Sequence, residues 1–105
     1  MRKNRIIIEV KNLVIGMGIV ILHIPGANSL KDKRRVLKSL LQRARARFNV
    51  SLAEIDDQDT WRRVTLGIAC VSNESGHAYQ NIQAVINFIA DLGEVEIIDY
   101  NMQVL

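Results

Sequence analysis

A chain of 105 residues is long enough for one hydrophobic core and too short for a second, so a multidomain architecture is excluded. Hydrophobic residues make up 49% and aromatic ones only 5%, which dictates an aliphatic core of Ile, Val and Leu and argues against a function built on rows of stacked rings. The formal charge of +3 conceals a strong polarity: residues 30–48 carry eight basic side chains against one acid, while residues 73–105 carry five acids and no Lys or Arg, a pattern suited to binding polyanions at one end or to head-to-tail self-pairing.

Residues 1–12, "MRKNRIIIEVKN", stand apart from the pattern of residues 13–105, which read as a single domain. Three readings of this N-terminal extension stay open: an added edge strand through Arg5 to Val10, a basic tail, or a start placed too early. Its basic lead and the apolar run Leu13 to Leu22 imitate a secretory signal. Glu9 and Lys11 interrupt that pattern, the run is rich in β-branched residues, and cleavage would delete what reads as a central strand. The run is also shorter than the roughly 20 apolar residues that span a bilayer. Cys70 is the single cysteine, so no internal disulfide is possible, and the cytoplasm is the expected compartment.

Leu13 to Ile24 is almost continuously apolar and stops at Pro25-Gly26, the signature of a buried strand closed by a turn. Ser29 then caps a helix, with Asp32 in the position of an acidic capping box, and Leu30, Leu37, Leu41, Ala44 and Phe48 recur at helical spacing with Leu40 widening the stripe. Val50, Leu52 and Glu54 alternate with Ser51, Ala53 and Ile55; the polar turn "DDQDT" follows, and Val64, Leu66, Ile68 and Cys70 share one face of the next strand. A second helix starts near Asn73 to Ser75, buries Ala78, Ile82, Val85, Ile86 and Ile89, and has Gly93 just past its end. "EVEIIDYNMQVL" closes the chain as a strand.

The order β-α-β-β-α-β predicts an α+β, ferredoxin-like sandwich, an antiparallel sheet with two helices on one face and with the first and third strands central. Both faces of the first strand are apolar. Two helices on one side can cover only one of them, so the other is expected to meet a second copy of the chain or a ligand.

At 100° per residue, Lys31, Arg35, Lys38, Gln42 and Arg45 fall on one outward arc of the first helix. Two readings apply: a solvated face, and a surface for the phosphates of a polyanion such as RNA. The candidate nucleic-acid-binding residues are Lys31, Lys33, Arg34, Arg35, Lys38, Arg43 and Arg45, extended by Arg62 and Arg63, with Trp61 as a stacking residue. The central third strand, "RRVTLGIA", lacks the aromatic platform of an RNA-recognition motif. The Gly turn and helix start at "HIPGANSLK" lack the Gly-rich run and Gly-Lys-Ser/Thr ending of a P-loop, so Ser29 reads as a cap. Glu54, Asp56, Asp57 and Asp59 read as a polar hairpin turn rather than a cation site. His23 and His77 have no ligand partners at metal spacing, and Cys70 reads as an inert buried thiol. No nucleophile, base and orienting group can be assembled, so no catalytic residue, metal ligand or cofactor is assigned.

The stretches "HIPG", "SLKDKRRVLKSL", "RFNVSLAE", "QD" with Trp61, and "TLG" through "VSN" resemble the YlxP-like family, small bacterial proteins classed as a domain of unknown function. The resemblance runs from about Leu13 to the C-terminus and leaves residues 1–12 outside it. It implies a ferredoxin-like fold, frequent self-association, and genes often placed beside those for translation initiation and ribosome-binding factors. It supplies no catalytic residues. The expected function is therefore a non-enzymatic module that binds RNA or a ribosomal particle through its basic helix. The alternative is a dimeric protein-interaction or scaffold protein that uses the apolar sheet face and has no nucleic-acid role.

Overall fold

The computed structural model describes residues 12–105, so the three readings of the N-terminal extension, among them an edge strand through Arg5 to Val10, fall outside the described residues. Within them the elements run β1 Val14–His23, α1 Leu30–Arg47, β2 Ser51–Asp56, β3 Arg63–Ser72, α2 Ser75–Ala90 and β4 Glu96–Val104. The sheet order is β2-β3-β1-β4 with every neighbouring pair antiparallel, which places β1 and β3 at the centre as the α+β ferredoxin-like reading requires.

Local chemistry explains the boundaries. Ser29 adopts an extended backbone, and its Oγ accepts the Asp32 amide at 3.1 Å. The Asp32 carboxylate in turn accepts the Asn28 amide at 3.0 Å, one residue before the cap, so the box closes one position wider than the usual form. At the other end of α1, Phe48 leaves the helix in extended geometry and meets Phe88 of α2 edge to face, with ring centroids 5.5 Å apart. The Arg47 guanidinium lies over both rings, 5.8 Å and 5.4 Å from their centroids, and pins the two helices together. Gly93 follows the end of α2 as expected, but no described glycine has a positive φ. The helix instead ends at Asp91 in right-handed geometry, with the Asp91 and Leu92 amides donating back to Asn87 and Ile89, so no left-handed cap is needed.

The core lies between the helices and one sheet face. Val20, Leu22 and Ile24 of β1 and its turn meet Val64, Leu66, Ile68 and Cys70 of β3 and Ala78, Ile82, Val85, Ile86 and Ile89 of α2. In α1 the buried set is Lys33, Val36, Leu37, Leu40 and Ala44, whereas Leu41 and Phe48, assigned to the stripe from spacing, are only half-buried. The helix is therefore rotated from the expected setting, toward Val36 and Lys33 and away from Leu41.

Gly16 and Gly18 supply a packing feature that hydropathy does not reveal. Both lie on the helix-facing side of β1, and a methyl group at Gly16 would stand 2.9 Å from Cys70 Sγ and 3.2 Å from the Ala78 carbonyl oxygen of α2. At Gly18 it would stand 2.9 Å from an Ile82 methyl. The missing side chains let α2 come down onto the sheet.

The alternate residues of β1 point the other way, and no element among the described residues covers that side. Ile15, Met17, Ile19 and Ile21 from β1 join Ala53 and Ile55 from β2 and Gly67, Ala69 and Val71 from β3. Ile19 is 42% exposed and Val71 72%. A shallow, almost wholly apolar depression of about 540 Å³ runs between β1 and β2 across this face.

Gly16→Ala should lower stability by about 1–3 kcal/mol, because the added methyl meets backbone as well as side chain. Chemical denaturation reads this as a lower midpoint at unchanged slope; an unchanged or raised midpoint would show that α2 can shift to accept it.

Candidate nucleic-acid interface

Because α1 buries Val36, Leu37, Leu40 and Ala44, helical geometry turns Lys31, Arg34, Arg35, Lys38, Gln42 and Arg45 to the opposite side, and all six are exposed. Arg43 is exposed as well, roughly 80° further round the helix from Arg35. No acid occupies the outward arc. Asp32, the one acid in α1, is committed to the cap. Arg35 approaches Glu94 at 3.9 Å, but both groups are well exposed, and such a pair contributes little. The ridge is thus five cations and an amide running along one helix.

Lys33 does not belong to it. The structure corrects its assignment as a phosphate contact: the side chain is 1% exposed, its Nζ lies 3.0 Å from Glu54 Oε2, and it donates a hydrogen bond to the Asp57 carbonyl oxygen. One ammonium thereby ties α1 to β2 and to the β2–β3 turn. The signal was present in the sequence, since Lys33 precedes Leu37, Leu40 and Ala44 by four, seven and eleven residues and so shares their face. Its partners, 21 and 24 residues further along the chain, are not visible at that range.

Asp57 is the pivot of that turn, with a left-handed φ of 66° that Asp tolerates better than most residues. Its Oδ2 accepts from Thr65 Oγ1 at 2.7 Å and from Arg63 Nε at 3.1 Å. The Thr65 hydrogen bond above all, then the hydrogen bond and charge of Arg63 and the charge of Lys33, outweigh partial burial and hold the Asp57 carboxyl below its ordinary range. The Asp56 carboxylate accepts the Asp57 amide at 2.8 Å. Asp56 and Asp57 are therefore committed to their own hairpin, and among the described residues no three His, Cys, Asp or Glu side chains converge in a metal-binding arrangement.

The other two arginines expected to widen the basic surface also have structural partners. Arg63 is paired with Asp57 at 3.1 Å. Arg62 donates to the Ala27 carbonyl oxygen at 2.8 Å and to Asn28 Oδ1 at 3.2 Å, fastening the loop before α1 to the hairpin. Trp61 beside them is 53% exposed at the hairpin end. Elsewhere, Cys70 is buried with Sγ 3.8 Å from the Ala78 carbonyl oxygen, and His23 and His77 lie 3.5 Å from Glu96 and Glu74 respectively.

One feature of the ridge was not legible in the sequence. Between α1 and β2 runs a groove of about 460 Å³, lined by Leu37 and Leu41, by Arg34, Lys38, Gln42 and Arg45, and by Glu54 on the β2 side. Arg45 also donates 2.6 Å to the Leu52 carbonyl oxygen and so covers part of the β2 edge. The groove exists because α1 lies beside an edge strand, a neighbour that helical periodicity cannot supply.

Comparison with known proteins adds kinship without chemistry. A family model described as "Protein of unknown function (DUF503)" matches residues 15–102. The chain is also similar to the uncharacterized protein YlxP of Bacillus subtilis (strain 168), 47% identical over 70 residues, which covers 67% of this chain and 76% of that protein.

Lys33→Ala should destabilise the fold by about 3–5 kcal/mol, because it leaves the Glu54 carboxylate in a nearly dry site without its cation. Replacing both partners, Lys33→Met with Glu54→Gln, should recover most of that loss in urea denaturation. A single variant as stable as the parent would mean that water reaches Glu54 in solution.

Proposed function

Since the chain belongs to the DUF503 family, whose description is that of proteins of unknown function, we propose its role from the surface it displays: a cytoplasmic, non-enzymatic module that binds RNA phosphates through α1, on ribosomal particles or their precursors. One observation carries this reading. Lys31, Arg34, Arg35, Lys38 and Arg45 project from one helix with no acid on the same arc, and Arg43 stands at its flank. A merely solvated helix of this charge would be relieved by acids at four-residue spacing, and none is placed to do it. Six phosphate contacts of this kind make affinity steeply salt-dependent, with a slope of log K against log salt near −4 on a single strand. The gene placement that the family resemblance implies, beside translation factors, points in the same direction. Among the described residues, no helix is long and apolar enough to cross a membrane.

The open sheet face favours a second reading, which is compatible with the first: a dimer joined through that face. Four strands at about 4.8 Å spacing and roughly 30 Å in length present on the order of 600 Å² per copy, near the ~800 Å² per partner of a standard interface. The centre of the face is aliphatic, and Arg63 at one end and Asp99 on the edge strand β4 put charge at its margin.

Reversing Lys31, Arg35 and Lys38 to Glu should abolish binding to ribosomal RNA while leaving the circular dichroism spectrum and denaturation midpoint intact; undiminished binding would sink the assignment. For the second reading, light scattering over a hundredfold range of concentration should show a dimer that Ile19→Asp converts to monomer, and a monomer at the highest concentration would exclude it.

A further inference from the structure

We infer that the groove between α1 and β2 receives an unpaired base, which makes the ligand single-stranded rather than duplex RNA. This deepens the RNA reading and rests on it. Duplex RNA offers phosphates but keeps its bases stacked, so it can satisfy the ridge and leave the groove empty. A single strand can lay its phosphates along Lys31, Arg34, Lys38 and Arg45 and turn one base inward.

The lining fits that occupant. Leu37 and Leu41 form an apolar floor for a base face, and the guanidinium planes of Arg34 and Arg45 at the rim can stack on a base as well as pair with phosphate. Gln42 offers both a donor and an acceptor for a base edge, while the Glu54 carboxylate in the wall is held by Lys33. The volume of about 460 Å³ lies within the range of sites for small ligands.

An acidic amphipathic peptide is the competing occupant, since it too would match an apolar floor and a basic rim. One observation disfavours it: the Leu52 carbonyl that a peptide strand needs in order to add to the β2 edge is already taken by Arg45.

The test compares a ten-nucleotide single-stranded RNA, the same strand in a duplex, and a peptide of alternating Glu and Leu, all at one salt concentration. The protein should bind the single strand at least tenfold tighter than the duplex and ignore the peptide. Leu41→Ser should erase the preference without changing the salt slope, whereas Lys31→Glu with Arg35→Glu should weaken both RNAs alike. Ultraviolet crosslinking of unaltered protein to a 4-thiouridine strand should map to residues 34–54, a readout that does not depend on any variant folding. Equal affinity for the two RNAs, or crosslinks confined to other segments, would overturn the groove assignment while leaving the ridge as a phosphate surface. Binding of the peptide with no binding of either RNA would overturn both.

Discussion

The burial of the Lys33 ammonium is the constraint on which the exposed basic surface depends. A charge removed from water must be met by opposite charge and by hydrogen-bond acceptors, and here Glu54 and the Asp57 carbonyl provide both. Those partners lie on β2 and on its turn, so the contact fixes the rotation of α1 about its own axis. Once Lys33 points inward, the spacing of the helix sends Lys31, Arg34, Arg35, Lys38 and Arg45 outward together. Had the helix settled with Leu41 at the centre of its stripe, the exposed arc would be a different one. The same contact holds α1 against β2 and so shapes the groove beside it.

A second constraint works on the opposite side of the core. Gly16 and Gly18 admit α2 to close range over β1 and leave the alternate residues of the strand, Ile15, Met17, Ile19 and Ile21, on a face that neither helix reaches. The molecule consequently carries two unlike surfaces on opposite sides of one sheet: a cationic ridge on the helix layer and an aliphatic plain beneath. Their chemistry differs enough that each can take its own partner. A dimer formed across the plain would hold two ridges outward, and two-point attachment to one long polyanion raises avidity without any new contact.

Arginine serves two distinct purposes in this fold. Arg62, Arg63 and Arg47 use their guanidinium groups internally, on loop carbonyls, on Asp57 and on the Phe48 and Phe88 rings. Arg34 and Arg43 have no such tie among the described residues, and Arg45 spends one nitrogen on the Leu52 carbonyl oxygen while keeping an exposed side chain. The formal charge of a basic stretch therefore overstates what it can offer a ligand. Fixed cations orient loops, and only the free ones are open to a ligand.

The order of elements, the central position of β1 and β3, and the buried sets of β3 and α2 follow from local properties that the chain carries residue by residue: β-branched alternation, helical spacing, Ser29 as a cap and Pro25-Gly26 as a turn. Sequence alone thus determined the fold class and the existence of a basic helix. Which of its cations are free was decided by tertiary structure, because that depends on neighbours far along the chain: Glu54 and Asp57 for Lys33, Ala27 and Asn28 for Arg62, Asp57 for Arg63. The groove likewise needs β2 beside α1, and the sheet face left uncovered among the described residues needs both helices on one side. Local periodicity specifies which way a side chain points from its own element, and only packing specifies what it meets there.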